Sequence, residues 1–290
     1  MTILVTAASG QLGRLVVESL LARGAAPDTI VATARDISKL EDLAARGIRT
    51  AELDYARPDT IAPALEGVDT VLLVSGSEPG NRVALHQNVI DAAKAAGVTK
   101  LVYTSAPKAT TADFVLAPDH KATEEAIAAS GVPAVIVRHN WYTENYAADV
   151  SRAASTGVIA ASVADGRVAS ATRADYADGD AVVLLEDGHI GQVYEFGGDV
   201  AWDYSELAAA ATEVVGRDVA YQPLSTEEHV AALEGFGLDA GTAGFVAAID
   251  SGIRAGLLAD ADGTLSRLIG RPTTPLVDGL RAAVEVPAAA

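Results

Sequence analysis

The chain has 290 residues, half of them hydrophobic, with no cysteine and a net charge of −18. The missing cysteine excludes disulfides, thiolate nucleophiles and cysteine-ligated metals, and the acidic balance opposes binding to a nucleic-acid backbone or an anionic membrane surface. No apolar run reaches the ~18 residues of a membrane span, and with a strand predicted from residue 2 no leader is expected, so a cytoplasmic location is expected.

In chain order, short apolar runs predict strands at 2–6, 29–33, 49–53, 70–74, 101–104 and 134–138, with helices at 11–23, 37–46, 60–66, 81–96 and 120–130 between them. Gly24, Gly47, Gly67, Gly97 and Gly131 follow these helices, where a C-cap favours positive φ. Strands apolar throughout belong to a sheet covered on both faces, so the fold expected is a Rossmann-type, doubly wound parallel α/β sheet. Beyond residue 138 the rhythm loosens. A helix is predicted over 141–155, a strand or loop over 158–168, a helix over 175–185 and a strand over 192–196. Asp203 with Glu206 and Ser225 with Glu228 have capping-box spacing, and Gly216 ends the helix that Asp203 starts. The expected division is a nucleotide-binding core over 1–140 completed by about 170–222, and a small α-rich substrate region from 141–169 and 223–290. Without a flexible linker, one compact unit is expected.

The opening strand runs into Ala7-Ala8-Ser9-Gly10-Gln11-Leu12-Gly13. A small-residue turn leading into a helix presents unpaired N–H groups and the positive end of the helix dipole to a pyrophosphate. Gly10 permits close approach of the ligand, and Gly13 permits close packing of helix on strand. A dinucleotide, and with it redox chemistry, is the expectation. Ala7 stands where this turn usually has its first glycine, at a cost of about 1 kcal/mol if φ there is positive. The second strand ends at Arg35, where NAD-preferring folds carry an acid. A guanidinium suits a 2′-phosphate, so NADPH is favoured, with Lys39 one turn on; the neighbouring Asp36 leaves NADH possible.

The Tyr-x-x-x-Lys acid–base pair of short-chain dehydrogenases is missing. The residues four before Lys39, Lys94, Lys100, Lys108 and Lys121 are Arg35, Ile90, Ala96, Thr104 and Ala117. The five histidines lack metal-ligand spacing. Candidate ligand contacts come from strand ends, where loops reach ligands in this fold: Ser75, Gly76 and Ser77 after strand four, Thr104 and Ser105 after strand five. His120, at the start of the following helix, is a candidate proton donor or else a surface residue. Trp141 and Tyr142 could stack on a flat substrate or serve the core. Arg173 reaches the cofactor or pairs with Asp175.

Taken together, the opening turn, Arg35, the 75–82 loop, Ala92-Ala93-Lys94-Ala95-Ala96-Gly97-Val98, Tyr103-Thr104-Ser105, Trp141-Tyr142-Thr143-Glu144-Asn145-Tyr146, Ser170-Ala171-Thr172-Arg173-Ala174-Asp175-Tyr176 and Leu265-Ser266-Arg267-Leu268-Ile269-Gly270 resemble the NmrA-like, atypical short-chain dehydrogenase/reductases. Within that group the chain is similar to the second type of bacterial NAD(P)H:quinone oxidoreductase and to triphenylmethane reductases. The resemblance covers nearly the whole chain. It implies a Rossmann domain, NADPH, two-electron reduction of a small quinone-like substrate and a homodimer. It also implies that residues 138–142, hence His139, Asn140, Trp141 and Tyr142, line the nicotinamide and substrate cleft. His139 and Asn140 stand where relatives have Asn and Gly, so a narrower cleft is expected, with His139 shaping it rather than acting as a base. A quinone accepts hydride readily and needs little acid assistance, which accommodates the missing pair. Two other functions fit the sequence as well: a dinucleotide sensor without turnover, and a reductase of imines, enones or dyes.

Overall fold

The structure is a computed structural model that describes residues 1–76 and 80–285. In chain order it contains β1 (Ile3–Val5), α1 (Gln11–Ala22), β2 (Ile30–Ala34), α2 (Glu41–Ala45), β3 (Arg49–Glu52), α3 (Pro58–Ala64), β4 (Thr70–Leu73), α4 (Arg82–Ala95), β5 (Lys100–Ser105), α5 (Ala117–Ser130) and β6 (Ala134–His139). There follow α6 (Ala147–Thr156), β7 (Val158–Ala161), β8 (Arg167–Val168), α7 (Arg173–Leu185), β9 (Val193–Phe196), β10 (Trp202–Asp203) and α8 (Tyr204–Val215). The chain ends with β11 (Ala220–Pro223), α9 (Thr226–Gly235), α10 (Ala240–Arg254), α11 (Thr264–Ile269) and α12 (Leu276–Glu285).

Two compact units form: residues 1–110, 116–139 and 173–196 make the first, and residues 111–115, 140–172 and 197–290 are assigned to the second. Residues 197–222, read from sequence as completing the nucleotide core, cluster in the second unit. Their helix α8 packs on α6 and α12, and β11 pairs with β7, all within the second unit.

The first unit holds a seven-stranded sheet in the order β3-β2-β1-β4-β5-β6-β9, every neighbouring pair parallel. This is the doubly wound fold expected. Strands β1, β2, β4 and β5 are buried along their whole length, because helices cover both faces. One core layer gathers Leu4, Val71, Leu73, Leu101 and Tyr103 with Val89 and Ile90 of α4. All five predicted C-cap glycines have positive φ. Buried Lys100 of β5 donates its ammonium to the Val183, Leu184 and Glu186 carbonyls at 2.8–3.0 Å, so a cation closes the C-terminal end of α7 where the dipole favours it. Strand order reverses at β1/β4, which places the ligand crevice of this fold beyond their carboxyl ends.

The second unit is mainly helical, with two small sheets, β7–β11 parallel and β8–β10 antiparallel. Both capping boxes read from sequence are present, at Asp203/Glu206 and Ser225/Glu228. The 141–155 segment is a short 3₁₀ turn followed by α6 rather than one helix. Its start is tied to the backbone by a bridge between Tyr142 and Ala171, which holds those residues extended. Among the described residues no helix is long and apolar enough to cross a membrane.

Candidate functional site

At the β1–α1 junction Ala7 has φ +50°. The turn closes through the Gly10 N–H to the Ala7 carbonyl at 2.9 Å, and the Ala8 N–H donates to Thr33 O at 2.7 Å. Gly10 is the N-cap of α1 and has no side chain with which to cap, so the first-turn N–H groups of Gln11, Leu12 and Gly13 point beyond the helix without a side-chain acceptor from that position. Ser9, Gly10 and Gln11 are exposed, whereas Ala8 and Leu12 anchor the turn in the core. A Cβ on Gly13 would lie 2.5 Å from the Ala7 carbonyl oxygen and 2.9 Å from that of Thr6. Only glycine lets α1 approach the strand this closely. A glycine-capped helix end on a tight turn is a cradle of the size and polarity a pyrophosphate needs.

Arg35 is exposed just past β2. The Asp36 carboxylate is taken up locally, accepting from the Ser38 N–H at 3.0 Å and the Ser38 hydroxyl at 2.7 Å. These bonds hold its pKa below the usual carboxylate range. The basic group is thus the one presented outward at this strand end.

The other strand ends are knitted into a polar network. Thr104 Oγ1 accepts from the Ser75 N–H at 2.9 Å, and the Gly76 N–H donates to His86 Nε2 at 3.0 Å. His86 Nδ1 lies 3.0 Å from Thr123 Oγ1, and an acceptor Nε2 requires the proton on Nδ1. Burial, then the Arg82 charge, pushes the His86 pKa down to about 4. Arg82 Nε donates to Gly76 O at 2.7 Å, and its guanidinium lies 3.5 Å from Asp119. Ser77, called as a contact from sequence, lies outside the described residues, as do Glu78 and Pro79 of the same loop. Thr104 and Ser105 are both buried. Ser105 Oγ donates to Glu124 Oε1 at 2.6 Å, so its one proton is engaged within the fold.

Arg138 makes a bidentate pair with Glu124 at 2.6 and 2.9 Å and reaches Glu195 at 2.9 Å. These carboxylates raise the guanidinium pKa further still, and the cluster locks β6 to α5 and β9. His120 is neither surface residue nor ready acid. It is 7% exposed and bonds through Nδ1 to the Tyr103 hydroxyl at 2.8 Å. Burial, reinforced by Arg82, His86 and His139, pushes its pKa down to about 3. The lowered pKa favours the uncharged ring at neutral pH. His139 is buried as well. Its imidazole is 3% exposed and bonds to the fully buried Asp180 at 2.9 Å, stacked on Tyr176 with ring centroids 4.7 Å apart. These contacts join β6 to α7. Arg173 is the half-buried first residue of α7.

In the second unit Asn140 has both ends of its amide engaged: Nδ2 donates to Leu258 O at 3.0 Å and Oδ1 accepts from the Trp141 N–H at 2.8 Å. The amide thus ties Leu258 to the start of the Trp141 segment. Trp141 and Tyr142 are half-buried, and Trp141 borders a cavity of about 590 Å³ enclosed by residues of this unit. Tyr146, His229 and Asp250 line it too. Sequence reasoning passed over these three, because only folding joins a residue of the 3₁₀ turn to others on α9 and α10. Among the described residues no cluster of His, Asp and Glu is suited to a metal ion.

The profile of the NAD(P)H-binding family matches residues 7–178, a span that includes the glycine-capped turn, Arg35 and the sheet through α7. The chain belongs to this NAD(P)H-binding family. It is similar to quinone oxidoreductase 2 of Escherichia coli, 45% identical over 278 residues that cover 96% of this chain and 97% of that one. Among solved structures it is similar to the E. coli NADPH-dependent quinone oxidoreductase complexed with NADPH, with a TM-score of 0.93, 44% identity and coverage of 97% and 99% of the two chains. It is also similar to the Citrobacter sp. triphenylmethane reductase complexed with NADP(H), with a TM-score of 0.91, 34% identity and coverage of 98% and 100%.

Proposed function

We propose that this protein is an NADPH-dependent reductase of quinone-like small molecules, working in the cytoplasm. What carries this reading is the similarity over the full length to a quinone oxidoreductase, supported by a nucleotide cradle whose outer end is basic. Ser9, Gly10, Gln11, Leu12 and Gly13 would hold the pyrophosphate through backbone N–H groups, and Arg35 would grip the 2′-phosphate. Ser75, Gly76 and Thr104 would border the cofactor, with Gly76 held in place by His86 and Arg82. The cofactor, when bound, supplies a hydride. Reduction of a quinone then needs one further proton. With His120 held neutral, this chain's part is to position the reactants and exclude water, and solvent or a polar group of the acceptor site provides that proton. We read residues 140–172 and 197–285 as the acceptor-binding unit and a homodimer as the state to test by sedimentation.

The test is NADPH oxidation by the purified protein with and without a simple quinone, in wild type and Arg35→Ala. Quinone-dependent turnover is expected, with the KM for NADPH raised about tenfold in the variant, kcat little changed, and the KM for NADH nearly unaffected. Tight NADPH binding without turnover on any acceptor would instead mark a sensor.

A further inference from the structure

The strand order of the first unit reverses at β1/β4, and the phosphate turn and Arg35 both belong to the β1–β2 half. In a doubly wound sheet a dinucleotide spans that reversal, so its adenosine end goes with β1 and β2 and its reacting ring with β4 and β5. His120 stands on the reacting half: it lies in the first turn of α5, the helix that follows the carboxyl end of β5. Its ring packs beside that of Tyr103 of β5, with centroids 5.9 Å apart.

Hydrogen bonding decides which ring nitrogen carries the proton. The Tyr103 side chain is fully buried, and its oxygen lies 2.8 Å from His120 Nδ1. The nearby Thr123 hydroxyl is engaged in both directions: it donates to Asp119 O at 2.9 Å and accepts from His86 Nδ1 at 3.0 Å. The phenol proton therefore goes to the imidazole nitrogen, a better acceptor than an occupied hydroxyl. With Nδ1 accepting, a neutral ring has its hydrogen on Nε2. No hydrogen-bond partner among the described residues stands at Nε2, and that atom is not sealed inside the fold. An otherwise buried ring thus presents one N–H outward, with its tautomer and orientation held from behind. Burial, with Arg82 and His86 of α4 and His139 of β6 bearing on the ring, keeps it uncharged.

Resting on the reductase reading, we propose that His120 is a catalytic residue, a neutral imidazole whose Nε2–H hydrogen-bonds the carbonyl oxygen of the electron acceptor, and that Tyr103 is the positioning residue that fixes its tautomer. When a hydride bonds to a conjugated carbonyl compound, a π pair is displaced onto that oxygen. The Nε2–H stabilises the oxyanion without leaving nitrogen, because a neutral imidazole is too weak an acid to protonate it, and water supplies the proton afterwards. A fixed neutral donor of this kind needs no ionisable acid, which suits a chain that lacks the Tyr-x-x-x-Lys pair.

The experiment uses the full chain, with 1,4-naphthoquinone as acceptor, and compares wild type with His120→Ala, His120→Gln and Tyr103→Phe; thermal unfolding and NADPH affinity report on folding. Nitrogen-15 spectra of histidine-labelled wild type, assigned by the signal missing in His120→Gln, are expected to show hydrogen on Nε2 and a bare Nδ1 at neutral and at mildly acidic pH. Tyr103→Phe is expected to mix the two tautomers and lower kcat several-fold. In His120→Ala kcat is expected to fall about 100-fold with the KM for NADPH nearly unchanged, and about tenfold of that loss to return in His120→Gln, which keeps an N–H. With the ring's pKa lowered to about 3, the ratio of wild-type to His120→Gln kcat is expected to stay constant from mildly acidic to mildly basic pH. Hydrogen on Nδ1 in wild type overturns the proposal, and so does a loss in His120→Ala confined to NADPH affinity. A ratio that rises with falling pH through the ordinary histidine range marks a proton donor and overturns the neutral role. Quinone turnover undiminished in His120→Ala defeats this proposal alone, whereas wild type that binds NADPH and reduces no acceptor defeats the reductase reading and the His120 contact with it.

Discussion

Ala7 and Gly13 meet across the phosphate turn: Ala7 carries a methyl where φ is positive, and Gly13 carries none where a Cβ would strike the Ala7 backbone. At φ +50° the Ala7 methyl crowds its own backbone, a strain of about 1 kcal/mol. Ala7→Gly is therefore expected to stabilise the protein by about 0.5 kcal/mol at most, the relief being largely offset by the freer unfolded chain; a small rise in the urea midpoint at constant slope checks it. Gly13→Ala is the reverse case. Its Cβ would meet backbone atoms at 2.5 and 2.8 Å, which cannot rotate aside, so α1 must retreat. A loss of about 2–3 kcal/mol is expected, together with weakened NADPH binding as the helix end moves from the turn. Both outcomes are legible at sequence level as types of residue, but the direction of the Ala7 effect required the observed dihedral.

At the scale of elements, α4 and α5 hold the β4 loop through His86, which accepts from the Gly76 N–H and contacts Thr123 of α5. That arrangement works only with a neutral ring. Because the folded-state pKa is lowered from 6.5 to about 4, the unfolded chain binds the proton more readily over that range, and stability rises with pH there. The contribution is fully present above about pH 6.5 and is lost as pH falls through about 4, worth about 3 kcal/mol at most. Thermal unfolding followed from pH 7 to pH 4.5 is expected to show a smaller fall in Tm for His86→Gln than for wild type, since glutamine keeps an acceptor for Gly76 and has no proton to gain. An equal fall in both proteins would place the acid sensitivity elsewhere. The helices themselves were readable because their signals are local: Asp203, Ser225 and the C-cap glycines act within one turn. The 141–155 segment was not, since its start is held extended by pairing with Ala171, a residue far along the chain.

For the whole molecule, cofactor binding and folding are linked. A ligand that binds only the folded state at 100 times its Kd adds about 2.7 kcal/mol, which for a chain of this size raises Tm by about 5 °C. NADPH is expected to produce this shift at lower concentration than NADH, and Arg35→Ala to bring the two together; a thermal-shift titration with both nucleotides reads it directly. Equal shifts in wild type would remove the 2′-phosphate role from Arg35. The net charge of −18 repels the more highly charged NADPH more than NADH, so a preference for NADPH must come from local groups such as Arg35.

The sequence by itself determined the parallel sheet, the nucleotide turn, the basic residue after β2 and both capping boxes, because each depends on a periodicity or on residues within a few positions of one another. Tertiary structure decided the rest. It buried His120 against Tyr103 and His139 against Asp180, paired Ser105 with Glu124 and closed Asn140 on Leu258, partners that the sequence did not reveal. It also moved residues 197–222 to the second unit through α8 and β11, and gathered Tyr146, His229 and Asp250 around one cavity. A side chain's hydrogen-bonding capacity is fixed by its type, but whether that capacity is spent within the fold or left for a ligand depends on partners more than a hundred residues distant in the case of Asn140 and Leu258.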